Sequence, residues 1–114
     1  MAFEKVATRD DLIPGTGLQV KVDGHPICLV VCEDGSVRAA YDVCSHQDYP
    51  LHEGLVWGCS IECALHGSTF DLETGEAETL PATEPVPIFA VKVEGDDVLI
   101  DIDQQLNDAP IPDH

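Results

Sequence analysis

Two short segments decide what this chain can fold into. Cys44-Ser45-His46 is followed, after sixteen residues, by Cys63-Ala64-Leu65-His66, giving C-x-H-x16-C-x2-H. Each half offers one thiolate and one imidazole, so a metal site of four donors needs both halves face to face. Two soft sulfurs and two borderline nitrogens suit zinc, or iron in a cluster. Structural zinc sites usually pair like with like, C-x2–4-C and then H-x3–5-H. Here each half is mixed, and the single residue between Cys44 and His46 is tight for two ligands on one tetrahedral ion. The alternative is a two-iron cluster with both cysteines on one iron and both histidines on the other. Each segment then gives one ligand to each iron.

The flanking sequence is β-patterned. Phe3 to Thr8 reads as a first strand, and Arg9 to Gly15 as a turn with one helical turn opened by Asp10. Leu18, Val20 and Val22 alternate onto one face. Asp23-Gly24 is a strong hairpin signal, and His25 beside it reads as a turn residue. The apolar run to Cys32 reads as a strand buried on both faces. Asp34-Gly35 starts a further strand over Ser36 to Val43. Three strands joined by two Asp-Gly turns make an antiparallel meander. Regular alternation returns at Val86, turns at Gly95-Asp96, and resumes through Val98, Ile100 and Ile102.

Residues 44–81 break this pattern with glycines and few apolar runs, and read as a loop-rich insertion. The expected fold is all-β: a single domain, 1–114, with an antiparallel sandwich or barrel base at 1–43 and 82–103. A small metal-binding sub-domain at about 44–81 is inserted in it, and 104–114 is a surface tail.

Charge narrows the function. Twenty-two acidic residues face five basic ones, a formal −17. Nucleic-acid binding depends on Lys and Arg at phosphates, and docking on anionic lipid needs the same. The longest apolar run, Ile27 to Cys32, is too short to span a bilayer. The N-terminal Met-Ala-Phe-Glu-Lys carries no secretory-type stretch. The expectation is a soluble cytoplasmic protein that binds neither nucleic acid nor membrane. The acids are uneven: nine against four bases in residues 1–57, thirteen against one in 58–114. Such a surface confers solubility and steers toward a positively charged partner.

Five cysteines without a secretory signal make a poor disulfide framework. Cys28 and Cys32 read as small buried hydrophobes of the third strand. His52, six residues after His46, reads as a neighbour of the first ligand segment and not a ligand. Trp57, the one tryptophan, reads as packing between the insertion and the base.

Cys44-Ser-His46, Cys63-Ala-Leu-His66-Gly67-Ser68-Thr-Phe70-Asp71, Thr74-Gly75 and Leu80-Pro81 together resemble the Rieske iron–sulfur proteins. The likeness spans nearly the whole chain. Small size and the lack of an anchor are similar to the ferredoxin components of bacterial aromatic-ring-hydroxylating dioxygenases of the biphenyl, toluene and carbazole types. The resemblance implies one [2Fe–2S] cluster, with Cys44 and Cys63 on one iron and His46 and His66 on the other. It implies an electron carrier, not an enzyme, whose partners are a flavin- and NADH-dependent reductase and a terminal oxygenase. His46 and His66 would lie at the tip and form the docking contact. Gly67 would let the second loop turn tightly, Ser68 would donate to a cluster sulfur, and Pro81 would belong to the loop covering the third side. Similar small chains serve as subunits of assimilatory nitrite reductases, a second reading.

Departures from the family pattern matter. High-potential members tie the two ligand loops with a disulfide, and those positions here are Tyr49 and Leu65. Cys59 fits neither position and reads as a spare thiol. Phe70 replaces a tyrosine whose hydroxyl would bond a cluster sulfur. One donor fewer makes the reduced, more negative cluster harder to form, pointing to the lower part of a range of roughly −150 to +300 mV. The range as a whole lies above that of all-cysteine clusters because two neutral imidazoles replace two thiolates.

Overall fold

The computed structural model describes residues 3–43, 50–63, 67–79, 84–107 and 109. Among these residues, nine strands form two antiparallel sheets. The larger has the order β1-β9-β8-β4-β3-β2, built from β1 (Glu4–Thr8), β2 (Leu18–Val22), β3 (His25–Val31), β4 (Val37–Tyr41), β8 (Ile88–Glu94) and β9 (Asp97–Gln105). Its outer strands, β1 and β2, approach each other, so the sheet curls into a nearly closed barrel. The smaller sheet has the order β5-β6-β7, from β5 (Val56–Trp57), β6 (Ser60–Glu62) and β7 (Thr69–Asp71). Among the described residues, no helix is long and apolar enough to cross a membrane.

The meander forms as the Asp-Gly signals predict. Val22 pairs with His25 across a two-residue turn. Asp23 and Gly24 both have positive φ, 54° and 80°, which lets the turn follow the right-handed twist of its strands. The Gly95-Asp96 turn likewise joins Glu94 to Asp97. Three boundaries differ from expectation. The single turn of 3-10 helix, Arg9–Asp11, is opened by Thr8 and not Asp10: the Asp11 carboxylate accepts from the Thr8 N–H at 3.0 Å. His25 is the first residue of β3, with Nδ1 3.2 Å from the Tyr41 hydroxyl. Strand β9 continues to Gln105, inside the expected tail.

Strand periodicity divides the core in two. Ile27 and Leu29 of β3, Ala39 and Tyr41 of β4, and Phe89 of β8 point into the barrel, where they meet Val98 and Ile100. Their neighbours Cys28, Val30, Ala40 and Ile88 point the other way. There they pack on Leu51, Val56, Ile61, Cys63, Phe70 and Leu72 of the smaller sheet and its approach. A strand between two apolar layers must be apolar at every position, which is why Ile27 to Val31 lacks polar alternation. Removing those faces from water contributes roughly 25 cal/mol per Å².

The stretch expected to be loop-rich carries all three short strands of the smaller sheet. Within it, the chain leading into β5 lies close against β6 at Gly54. A Cβ there would overlap the Glu62 carbonyl. Gly54→Ala should therefore push the preceding segment off β6 and destabilise the protein by about 1–3 kcal/mol, the usual range for overpacking. An unshifted urea midpoint would contradict this close approach.

Candidate metal centre

Of the candidate ligands, Cys63 is described; Cys44, His46 and His66 lie outside the described residues, as does Pro81. Cys63 directly follows β6 and is fully buried. The β6–β7 ladder pairs Ser60 with Asp71, Ile61 with Phe70 and Glu62 with Thr69. It extends by one more bond, the Cys63 N–H donating to the Ser68 carbonyl at 2.6 Å. The Gly67 N–H then donates to the Cys63 carbonyl at 2.8 Å, closing the turn. Gly67 has φ 78°, and a Cβ there would meet ordinary contact only, so conformation and not space requires glycine. Ser68 is buried beside it, and so is Phe70.

Segments adjoining the other candidate ligands meet at this end of the smaller sheet. Leu51, just after the first ligand segment, shares the core layer with Cys63. The Glu62 N–H donates to the Leu55 carbonyl at 2.8 Å. On the other side the Glu78 N–H donates to the Thr69 carbonyl at 2.7 Å, and the Thr69 N–H donates to the Thr79 hydroxyl at 2.9 Å. Thr79 directly precedes the Leu80-Pro81 stretch. At the first segment's entrance, Asp42 is buried and accepts three hydrogen bonds from described residues. Its Oδ1 accepts from the His52 N–H at 2.7 Å, and its Oδ2 from His52 Nδ1 at 2.6 Å and Gln19 Nε2 at 2.8 Å.

The cysteines sort themselves by environment. Burial, with the Asp42 charge adding, pushes the Cys28 thiol well above its ordinary range, so it stays protonated as a packing group. Cys63 is the other free cysteine among the described residues, and it stands on a turn fixed by backbone bonds on both sides. A buried thiol so placed, next to the candidate ligand His66 in sequence, fits an iron–sulfur cluster.

Three expectations fail here. Cys59 is not a spare thiol, and Cys32 is not simply a buried hydrophobe: they form a disulfide. The β5–β6 turn packs on the β3–β4 connection, with the Glu33 N–H donating to the Gly58 carbonyl at 3.0 Å. This brings the two Cα atoms to 4.7 Å, within the bridging range. Trp57 does not pack between the insertion and the base. It is 53% exposed on the outer face of β5, and its neighbour Val56 takes the inward position.

Comparison with known proteins agrees with this geometry. Residues 2–90 match the family described as Rieske [2Fe-2S] domain. The ferredoxin component of biphenyl 2,3-dioxygenase from Rhodococcus jostii (strain RHA1) is 43% identical over 103 residues, 90% of this chain and 95% of that protein. The ferredoxin of carbazole 1,9a-dioxygenase from Nocardioides aromaticivorans IC177 superposes with a TM-score of 0.81 at 36% identity, covering 88% of this chain and 97% of that one. A ferredoxin solved in complex with the reduced oxygenase of carbazole 1,9a-dioxygenase superposes at 0.78 with 33% identity, covering 86% and 91%. A structure described as a nitrite reductase small subunit is 23% identical and shares the fold.

Proposed function

The chain belongs to the Rieske [2Fe-2S] family, and we propose that it serves as the ferredoxin of a multicomponent dioxygenase. In this reading it takes one electron from a flavin- and NADH-dependent reductase and delivers it to a terminal oxygenase, working in the cytoplasm. The supporting observation is likeness over 90% of the chain to a dioxygenase ferredoxin component, joined to a buried Cys63 held on a backbone-bonded turn. The nitrite reductase reading rests on likeness of fold alone.

Cys44 and Cys63 would hold one iron as thiolates, and His46 and His66 the other as neutral imidazoles. When bound, the cluster supplies one reversible one-electron step; the chain binds no organic substrate for it. Cys63 is held by backbone bonds to Ser68 and from Gly67, so it need not move when charge arrives. The Ser68 hydroxyl is the candidate donor to a cluster sulfur, and Phe70 offers none. Each ligating imidazole keeps one N–H, and His46 and His66 would present theirs to the partner as the exit for the electron. Pro81 would belong to the covering loop beyond Thr79.

The test is reconstitution. Reductase, this protein and a dioxygenase-type oxygenase should together couple NADH oxidation to hydroxylation of an aromatic substrate. Omission of this protein should stop turnover. A reduced protein that passes no electron to such an oxygenase would refute the reading. Steering by a surface of formal −17 also predicts salt dependence. The transfer rate should fall steeply as ionic strength rises, because the Debye length shrinks from about 10 Å at 0.1 M salt to about 3 Å at 1 M. A flat profile in stopped-flow mixing would leave the acids a role in solubility only.

A further inference from the structure

We infer that Asp42 and His52 form a clasp that positions the first ligand segment; the inference rests on the ligand assignment above. Nine residues separate the two, and Cys44 and His46 are among them. Asp42 stands one residue after β4, and its own N–H donates to the Pro26 carbonyl of β3 at 3.0 Å, fixing it to the barrel. His52 belongs to the short 3-10 helix Leu51–Glu53, on the far side of the segment. One buried carboxylate therefore joins the entrance of the segment to its exit, through both the backbone N–H and the ring of His52.

The clasp is stiff for a physical reason. The Asp42 side chain is fully shielded from water, and a buried carboxylate is tolerated only while donors surround it. Letting the exit swing away would remove two of its three donors among the described residues together. Gln19 supplies the third from β2 and spans nothing. The exit is also confined from below. A Cβ on Gly17 would lie 2.9 Å from the His52 Cα and 2.6 Å from the Cys28 sulfur, so the 3-10 helix rests directly on the chain entering β2. Both ends of the segment that carries Cys44 and His46 are thus held, and Leu51 at its exit shares a core layer with Cys63. His52 is thus a positioning residue and not a ligand.

The test uses the cluster-loaded protein with two readouts: iron loss to a ferrous chelator, and the EPR spectrum after dithionite reduction. His52→Leu removes the ring donor and keeps the bulk. It should lose iron at least about tenfold faster, in line with partners that orient metal ligands elsewhere, and should shift the g values. His52→Asn places an N–H near Nδ1 and should return both readouts toward wild type. Gln19→Leu takes a donor from the same carboxylate without touching the segment. It should melt earlier by far-UV circular dichroism, yet hold iron within about threefold of wild type and keep its spectrum. Asp42→Asn, which puts a donor where Oδ2 accepted two bonds, should behave as His52→Leu does and serves if that variant fails to fold. Iron held at the wild-type rate in His52→Leu or Asp42→Asn would overturn the clasp. So would iron lost from Gln19→Leu as fast as from His52→Leu, since general destabilisation would then suffice. Failure of the ligand assignment itself would be seen separately, as an intact iron spectrum in Cys63→Ser.

Discussion

Cys63→Ser should yield a colourless protein with no EPR signal after dithionite reduction, where the wild type carries about two irons and two sulfides per chain. Both bonds that shape the Cys63 turn run through its backbone, to Ser68 and from Gly67, and serine keeps them. The variant therefore removes the sulfur without dismantling its setting, and loss of iron can be read as loss of a ligand. Cys44→Ser and His66→Ala should do the same. The barrel should survive, because the apolar cluster inside it takes no residue from 50–79. Its β signal in far-UV circular dichroism should persist while the other core layer, which contains Cys63 itself, loosens. Cys28→Ser is the informative control. That thiol is buried and held protonated, so its loss should lower the melting temperature and leave the iron spectrum unchanged. An unchanged iron spectrum in Cys63→Ser would show that the cluster is held otherwise.

What the sequence disclosed, it disclosed through local chemistry. Asp23-Gly24 announces its turn because few other dipeptides accept two consecutive positive φ values. Ile27 to Val31 announces a strand between two apolar layers because it lacks polar alternation. Glycine at 67 answers a need for positive φ directly after the candidate ligand His66. Features that failed to show were those made by distant segments. Cys32 and Cys59 lie 27 residues apart, and nothing in either neighbourhood states that the β5–β6 turn folds onto the β3–β4 connection. Trp57 looks like a core residue by composition, yet Val56 beside it takes the inward position, and a two-residue strand offers only one. The three donors on Asp42 come from β2, from the 3-10 helix ring and from its backbone, so no short window could have displayed them. The pairing of β1 with β9, which joins the first and last strands of the chain, is likewise set by tertiary structure.

Replacing Cys32 and Cys59 together by serine should lower stability by about 3.5 kcal/mol, from the loop-closure entropy expected for a bridge of this span. In a domain whose total is on the order of 5–15 kcal/mol that is a large share, and the melting temperature should drop by roughly 10 °C or more. The bridge sits where it restrains most. Cys32 follows β3 of the barrel, and Cys59 lies in the turn at the end of the smaller sheet opposite the Cys63 turn. It is reinforced by the Gly58 N–H donating to the Glu33 carboxylate and by the Leu72 N–H donating to the Cys59 carbonyl at 2.8 Å. The smaller sheet is thus fastened to the barrel at one end by a covalent bond and carries the candidate ligand Cys63 four residues along at the other. Dithiothreitol should reproduce the effect of the double variant on wild-type protein, and should do nothing further to the double variant. Alkylation under denaturing, non-reducing conditions should leave Cys32 and Cys59 unmodified while labelling Cys28. Full labelling of all five cysteines without reductant, or a melting temperature indifferent to both treatments, would show that the two thiols stay apart. Such bridges are rare in reducing compartments, so the same assay on protein taken directly from cells bears on the cytoplasmic assignment. A bridge present there would count against a reducing compartment.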